Sequence, residues 1–354
     1  MRIPCFALLA VGCSQDYEIV AQPPEVDPWA VTGCGFTDIE GTPVSEYDCN
    51  PVFTGTEEGW GARFESVGFH VTEVLGHPTY QLWYVAEPAD GDGYGLGYAT
   101  STNGVEWTPH PDNPVVAADG GWDATSMDEI QVVWDAAIDE YVLVYQGYNL
   151  DTDVWGIGGM QSPDGVEWTS TTSAETPLLD LRTALAGRYT CWPLAFTTTS
   201  VGYQGYIAAA PGQGLEDPCE VFSWSGEALD SMGFSETPVL TPTGQPHDAM
   251  GVSSAAVVDF RGTLYLFYVG FEAWEDMGTF KRATRQTLSV ATSTNGGRSW
   301  QKDPDNPLPV HRTDPGAISG VAAQVVGDRI HLWITDEYAS IGRNAVGYYL
   351  YQPR

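Results

Sequence analysis

The side chains of this chain best placed to do chemistry are carboxylates. They recur in five clusters: Asp90 and Asp92, Asp151 and Asp153, Glu216 and Asp217, Glu272 with Glu275 and Asp276, and Asp336 and Glu337. Two carboxyl groups flanking a bond can share acid and base work, one protonating a leaving oxygen while the other attacks or activates water. A ring of carboxylates can equally hold a hard cation such as Ca2+. Trp155, Trp192 and Trp274 lie in or near the same stretches, and an indole face packs well on the C–H face of a sugar ring. Core or rim packing is the plainer reading of each tryptophan. Bulk acidity is the plainer reading of the clusters, since 14 Lys+Arg against 47 Asp+Glu leave a net charge of −33. Such a surface favours solubility and repels nucleic acid and anionic lipid, so a nucleic-acid partner is not expected. Neutral sugars and divalent cations remain compatible with it. No cofactor is expected to be required, although Ca2+ fits.

The elements that must position these groups are read from repeats. Ser101-Thr-Asn-Gly-Val-Glu-Trp107, Ser162-Pro-Asp-Gly-Val-Glu-Trp168 and Ser293-Thr-Asn-Gly-Gly-Arg-Ser-Trp300 match closely, and Ser223-Trp-Ser-Gly226 is a degenerate fourth copy. Asn-Gly and Asp-Gly between β-rich runs mark tight turns, with the polar residue bonding the turn backbone. Pro51, Pro114, Pro177, Pro238 and Pro307 recur at intervals of 63, 63, 61 and 69 residues, each after Asn or Thr. Between these marks each repeat carries two short apolar runs, such as Ile130–Trp134 with Glu140–Tyr145, which suit strands buried between packed sheets. The first Pro copy precedes any complete repeat, and the last repeat stops before its own. A circle resolves the mismatch. The expected fold is all-β, a five-bladed β-propeller of four-stranded antiparallel blades, closed by Pro51-Val52-Phe53 pairing beside Val346–Tyr351. The acidic clusters then fall in the loops between second and third strands, on the face where the inner strands begin.

On Gly121-Trp122-Asp123, Ile130-x-Val132-x-x-Asp135, Tyr141-x-x-x-Tyr145 and Tyr98-Ala-Thr-Ser101, the chain from about Trp60 to Arg354 resembles the five-bladed propeller glycosidases, the arabinanases, xylosidases and invertase-like enzymes. Ser293-x-Asn295-x-Gly297-x-Ser299-Trp300 also looks like the aspartate box of sialidases, which have six blades where five repeats are visible here. The glycosidase resemblance implies catalytic acids at the axial ends of the inner strands. On that basis Glu129 is the leading catalytic candidate, with Asp128 beside it, Glu65 in the first blade and Asp248 in the fourth. Asp123 and His247 are candidate substrate contacts, alongside Trp155, Trp192 and Trp274; a structural role is the alternative for His247. The sequence departs from the family in the third blade, where Cys191-Trp192-Pro193 stands in place of a general-acid Glu. Glu216 and Asp217 are the nearby substitutes. The resemblance therefore implies either a glycoside hydrolase or a glycan- or surface-binding propeller that has lost the acid.

The first residues read as an export signal: Arg2, the apolar run Phe6–Val11, then Gly12-Cys13. The run is too short to span a bilayer. Leu9-Ala10-Val11-Gly12-Cys13 resembles a bacterial lipoprotein box, with Ala10 where Leu is usual. It implies lipidation at Cys13 and attachment to the outer membrane or cell surface, and an ordinary signal peptide is the alternative. Four cysteines then remain, and they pair as Cys34–Cys49 and Cys191–Cys219, since no C-x-x-C spacing points to a metal. The expected organisation is a signal over 1–13, a tether with a disulfide loop over 14–48, and the propeller over 49–354, monomeric, with a carbohydrate ligand.

Overall fold

A computed structural model describes residues 33–354 apart from 56–59, 62, 75–76, 88–93, 118–120, 174, 213–215, 279–280, 311–317 and 339–342. Cys13 and the stretch over 1–13 expected to be a signal lie outside the described residues. Five antiparallel sheets follow one another along the chain, each starting at an inner strand: Arg63–Val74, Ser126–Asp135, Tyr189–Thr199, Gly251–Phe260 and Ile318–Val326. Each inner strand contacts the inner strands of the blades on both sides, and the fifth contacts the first, so the strands close a ring around one axis. The core is correspondingly divided into five hydrophobic clusters, one at each blade boundary. At the boundary of the fifth and first blades Trp333 stacks on Phe69 with ring centroids 4.3 Å apart. Strands covered on both faces have no solvent side, which is why their sequences read as near-continuous apolar runs.

The repeated turns behave as their sequences require. Asn103 Oδ1 accepts from the Val105 and Glu106 amides, and Asp164 Oδ1 from those of Val166 and Glu167. Each turn also docks on the preceding blade. The Trp83 indole donates to the Gly165 carbonyl at 2.7 Å, and a side chain at Gly165 (φ 81°) would run into that indole. Glycine is needed there for both reasons.

The ring closes through the N-terminal segment. Val346 exchanges backbone hydrogen bonds with the Val52–Phe53 segment, as expected, but the longer pairing is made by Val44–Tyr47 against Tyr349–Tyr351, with Phe36–Asp38 added outside it. The propeller thus begins before Cys49 and takes in residues read from the sequence as tether. The reason lies in the Asn-Pro pairs. Proline cannot donate to a ladder, so the asparagine amide substitutes for backbone. Asn50 bonds both the N–H and the carbonyl of Tyr348, Asn113 those of Tyr98, and Asn306 those of Val290. The motif therefore interrupts the outer strand rather than starting it. Disulfides Cys34–Cys49 and Cys191–Cys219 are both formed.

Candidate active site

All five inner strands break register near their starts, at the same level of the ring. The breaks fall between Phe64 and Ser66, Asp128 and Gln131, Cys191 and Leu194, Ser254 and Ala256, and Ile318 and Gly320. The residues at the breaks are Glu65, Glu129–Ile130, Trp192–Pro193, Ala255 and Ser319. A β-bulge turns a strand sharply and re-aims its side chains, and bulges cluster beside active sites. Glu129 sits in its bulge at φ 52° and is 8% exposed. A non-glycine residue in that region is strained, and such strain persists only where the surroundings hold it. One residue past the bulge, the Gln131 amide crosses the axis to the carbonyls of Ala255 (3.2 Å) and Val321 (3.4 Å), tying the second, fourth and fifth blades together. Beyond this crossing, towards the far ends of the inner strands, a cavity of about 300 Å³ is lined by His70, Thr198, Asp259 and Gln324 among others. Burial holds the His70 pKa down at about 4, so its ring is neutral.

Asp128 stands just before the Glu129 bulge, opposite Gln146 of the second strand. The Ser126 hydroxyl donates to its Oδ2 at 2.6 Å. Burial pushes its pKa up, and the nearby Glu87 carboxylate adds to the rise, while the Ser126 hydrogen bond opposes it; the outcome is about 6. Glu87 ends the second strand of the first blade and is itself buried. Polar atoms at this level also lack partners: Gln146 Oε1, Ser319 Oγ and Thr335 Oγ1 are buried without a hydrogen bond. Orphaned buried polar groups are uncommon in native proteins and call for an explanation such as a bound molecule. The arrangement places a carboxyl of raised pKa near the Glu87 carboxylate, with polar anchors around them.

The other sequence candidates occupy different positions. Glu65 and Trp192 lie at the bulges by backbone register, and their side chains are outside the described residues. Asp248 is 0% exposed, just ahead of the fourth inner strand. It accepts from Lys302 Nζ at 2.5 Å, from the Thr243 hydroxyl at 2.6 Å and from the Thr243 amide. Burial alone would raise its pKa, but these donors override burial and hold it below the ordinary value. Lys302 belongs to the outer strand, so this carboxylate pins the fourth blade's entry segment outward. His247 packs beside it, with Nε2 3.9 Å from Asp248 Oδ2, and its carbonyl accepts from Thr287. Asp123 accepts from the Tyr145 hydroxyl at 2.7 Å and lies between the first two blades. Trp155 stacks on Tyr148 across the rim of the second blade, centroids 4.6 Å apart. Trp274 packs on Phe271 and gives its indole N–H to the Asp217 carbonyl.

Several rim acids are already partnered. Asp153 pairs with Arg182, Glu272 with Arg285 and Glu275 with Arg282. No group of three or more His, Cys, Asp or Glu among the described residues is placed to hold a metal ion. Asp90, Asp92 and Asp314 fall outside the described residues, as does the Glu337 side chain. Reasoning from sequence missed Glu87, Gln131 and Gln146. Glu87 had a faint signal, as the acid ending an apolar strand run.

No protein-family model and no curated protein matches the chain. Solved structures do match in fold. A glycosyl hydrolase from Bacteroides ovatus superposes with a TM-score of 0.60 at 16% identity, covering 90% of this chain and 94% of that one. A β-1,2-mannobiose phosphorylase from Listeria innocua, solved with β-1,2-mannobiose, gives 0.59 at 12% identity, covering 87% and 96%. A thermostable family-43 glycoside hydrolase gives 0.53 at 14%, covering 83% and 91%. The five-bladed propeller is thus the fold of several glycoside hydrolase families, as the sequence motifs implied.

Proposed function

We propose that this chain acts on glycans as a glycoside hydrolase, with its reactive centre at the bulge level of the axis. Two observations carry the reading: the raised pKa of Asp128, about 6, and the strained backbone of the next residue, Glu129, at the bulge. Asp128 serves as the proton donor to the leaving oxygen. Glu129 serves as the ionised partner that attacks the anomeric carbon or activates water. Burial, with Glu87 adding to it, keeps the Asp128 proton in place, and Gln146, Ser319 and Thr335 offer hydrogen bonds to sugar hydroxyls. The carbohydrate-bound and hydrolytic neighbours support the substrate class. Export, with anchoring through a lipid on Cys13, belongs to the same proposal, because glycans of this kind are met outside the cell; mass analysis of the mature N-terminus checks it.

A screen of the purified protein against aryl glycosides and polysaccharides tests the reading. At least one should be cleaved, and Glu129→Gln should lower turnover by orders of magnitude without loss of fold. A second reading, glycan binding without cleavage, is favoured by Trp192-Pro193 at the third bulge, where no carboxylate stands. Under that reading the screen shows affinity without turnover, and Glu129→Gln changes affinity only modestly.

A further inference from the structure

The boundary between the first and second blades is not filled along its whole length. A cleft of about 230 Å³ remains there, walled by Tyr94, Trp122, Asp123, Tyr145, Met160 and Thr172. It begins at Ser126 and Met127, at the start of the second inner strand, and runs outward among the third and outer strands of both blades and the segment that enters the second. Asp123 is the only carboxylate among its described walls, and no cation is present among them. The Tyr145 hydroxyl fixes one oxygen of that carboxylate at 2.7 Å, while the other accepts no hydrogen bond from a described residue. The backbone is shaped to this end, since a side chain at Gly147 would run into both Asp123 and Trp122. Trp122 stacks on Tyr145 at an interplanar angle of 17°, and both rings are buried, so they close the inner end of the cleft with apolar edges.

We propose that this cleft is a second carbohydrate site, taking one sugar ring by a pair of neighbouring hydroxyls. A held carboxylate with one oxygen presented is an acceptor for two such donors, and charge-assisted bonds of this kind are the strong ones. The cleft is smaller than the roughly 300 Å³ at which sites for drug-sized ligands begin, so it admits a single ring of a longer glycan rather than a run of units. The absence of a lining cation among the described residues turns away phosphorylated, sulfated or carboxylated sugars. The ligand class draws on the proposed function, but the site does not depend on cleavage at the axis.

Calorimetric titration of the full chain with methyl α-mannopyranoside, methyl β-galactopyranoside, methyl β-xylopyranoside and mannobiose tests it, using the Glu129→Gln protein so that the axial centre is inactive. At least one probe should bind. Asp123→Asn, which preserves shape and the Tyr145 bond, should weaken that binding tenfold or more. Ala117→Trp fills the cleft from an exposed position and should abolish it. Binding in Glu129→Gln that both cleft variants remove, while the wild type cleaves nothing, supports the cleft and sinks the hydrolase reading. Wild-type affinity in both cleft variants, or no binding by any probe, overturns the proposal.

Discussion

Asp128, half-buried and directly ahead of the second blade's bulge, and Asp248, buried just ahead of the fourth inner strand, are both acids near the start of an inner strand, yet the structure treats them in opposite ways. Asp248 meets a lysine and a threonine and is held ionised. Asp128 meets a serine hydroxyl and another carboxylate and is pushed towards protonation. Burial penalises the charge in both. What differs is whether a cation arrives to offset it, and that cation, Lys302, comes from 54 residues further along the chain. A carboxyl that is buried and left without a cation is poised for proton transfer; one that is buried and paired is a fastening.

The comparison breaks most visibly if Lys302 is removed. Lys302→Met should strand the Asp248 charge and cost about 3–5 kcal/mol, read from denaturant unfolding at neutral pH. Lys302→Met with Asp248→Asn should recover most of it. A loss below about 1 kcal/mol in the single variant would mean that the pair fastens nothing. Next in size is the disulfide that secures the closing segment. Cys34 and Cys49 stand 15 residues apart, and replacing both with Ser should cost about 3 kcal/mol by loop-closure entropy. An unchanged unfolding midpoint would show that the closing strands hold without it.

Asp128→Asn should act in the opposite direction. Its folded pKa lies above the ordinary value of 3.8, so the stability this group contributes is full below that value and is lost as pH rises through about 6. The substitution should therefore stabilise the fold by about 2 kcal/mol at pH 8 and by almost nothing at pH 4. An equal effect at both pH values would remove the linkage. The smallest effect is expected at His70. Its folded pKa of about 4 lies below the ordinary 6.5, so the unfolded chain takes up a proton that the fold refuses as pH falls through that window. Stability should drop on acidification, and His70→Gln should spare about 1 kcal/mol of that drop at pH 5.5. Parallel pH curves for the variant and the wild type would contradict this.

Much of the architecture was legible in the sequence because it is written locally. The turns carry their own hydrogen-bonding residue and glycine, and the four cysteines beyond residue 13 allow few pairings. The five recurring prolines, each after Asn or Thr, gave the count and the circular closure. They misplaced the start of the outer strand, because a side-chain amide standing in for backbone has no periodic signature. The bulges were not legible, since one extra residue in an apolar run leaves its composition unchanged. The fates of Asp128 and Asp248 were not legible either, because each depends on a partner from another strand. Glu129 lies on an inner strand, as expected, but its left-handed backbone appears only once the pairs Asp128–Gln146 and Gln131–Val144 fix the register on either side of it.

The contrast between the two acids can be measured directly by carbon-13 NMR titration of the aspartate side-chain carboxyls in the intact protein. Asp128 should titrate near 6, and Asp248 should stay ionised to below the ordinary carboxylate range. Ordinary titration near 4 at Asp128, or protonation of Asp248 ahead of Asp128, would contradict the assignment of one carboxyl to chemistry and the other to structure.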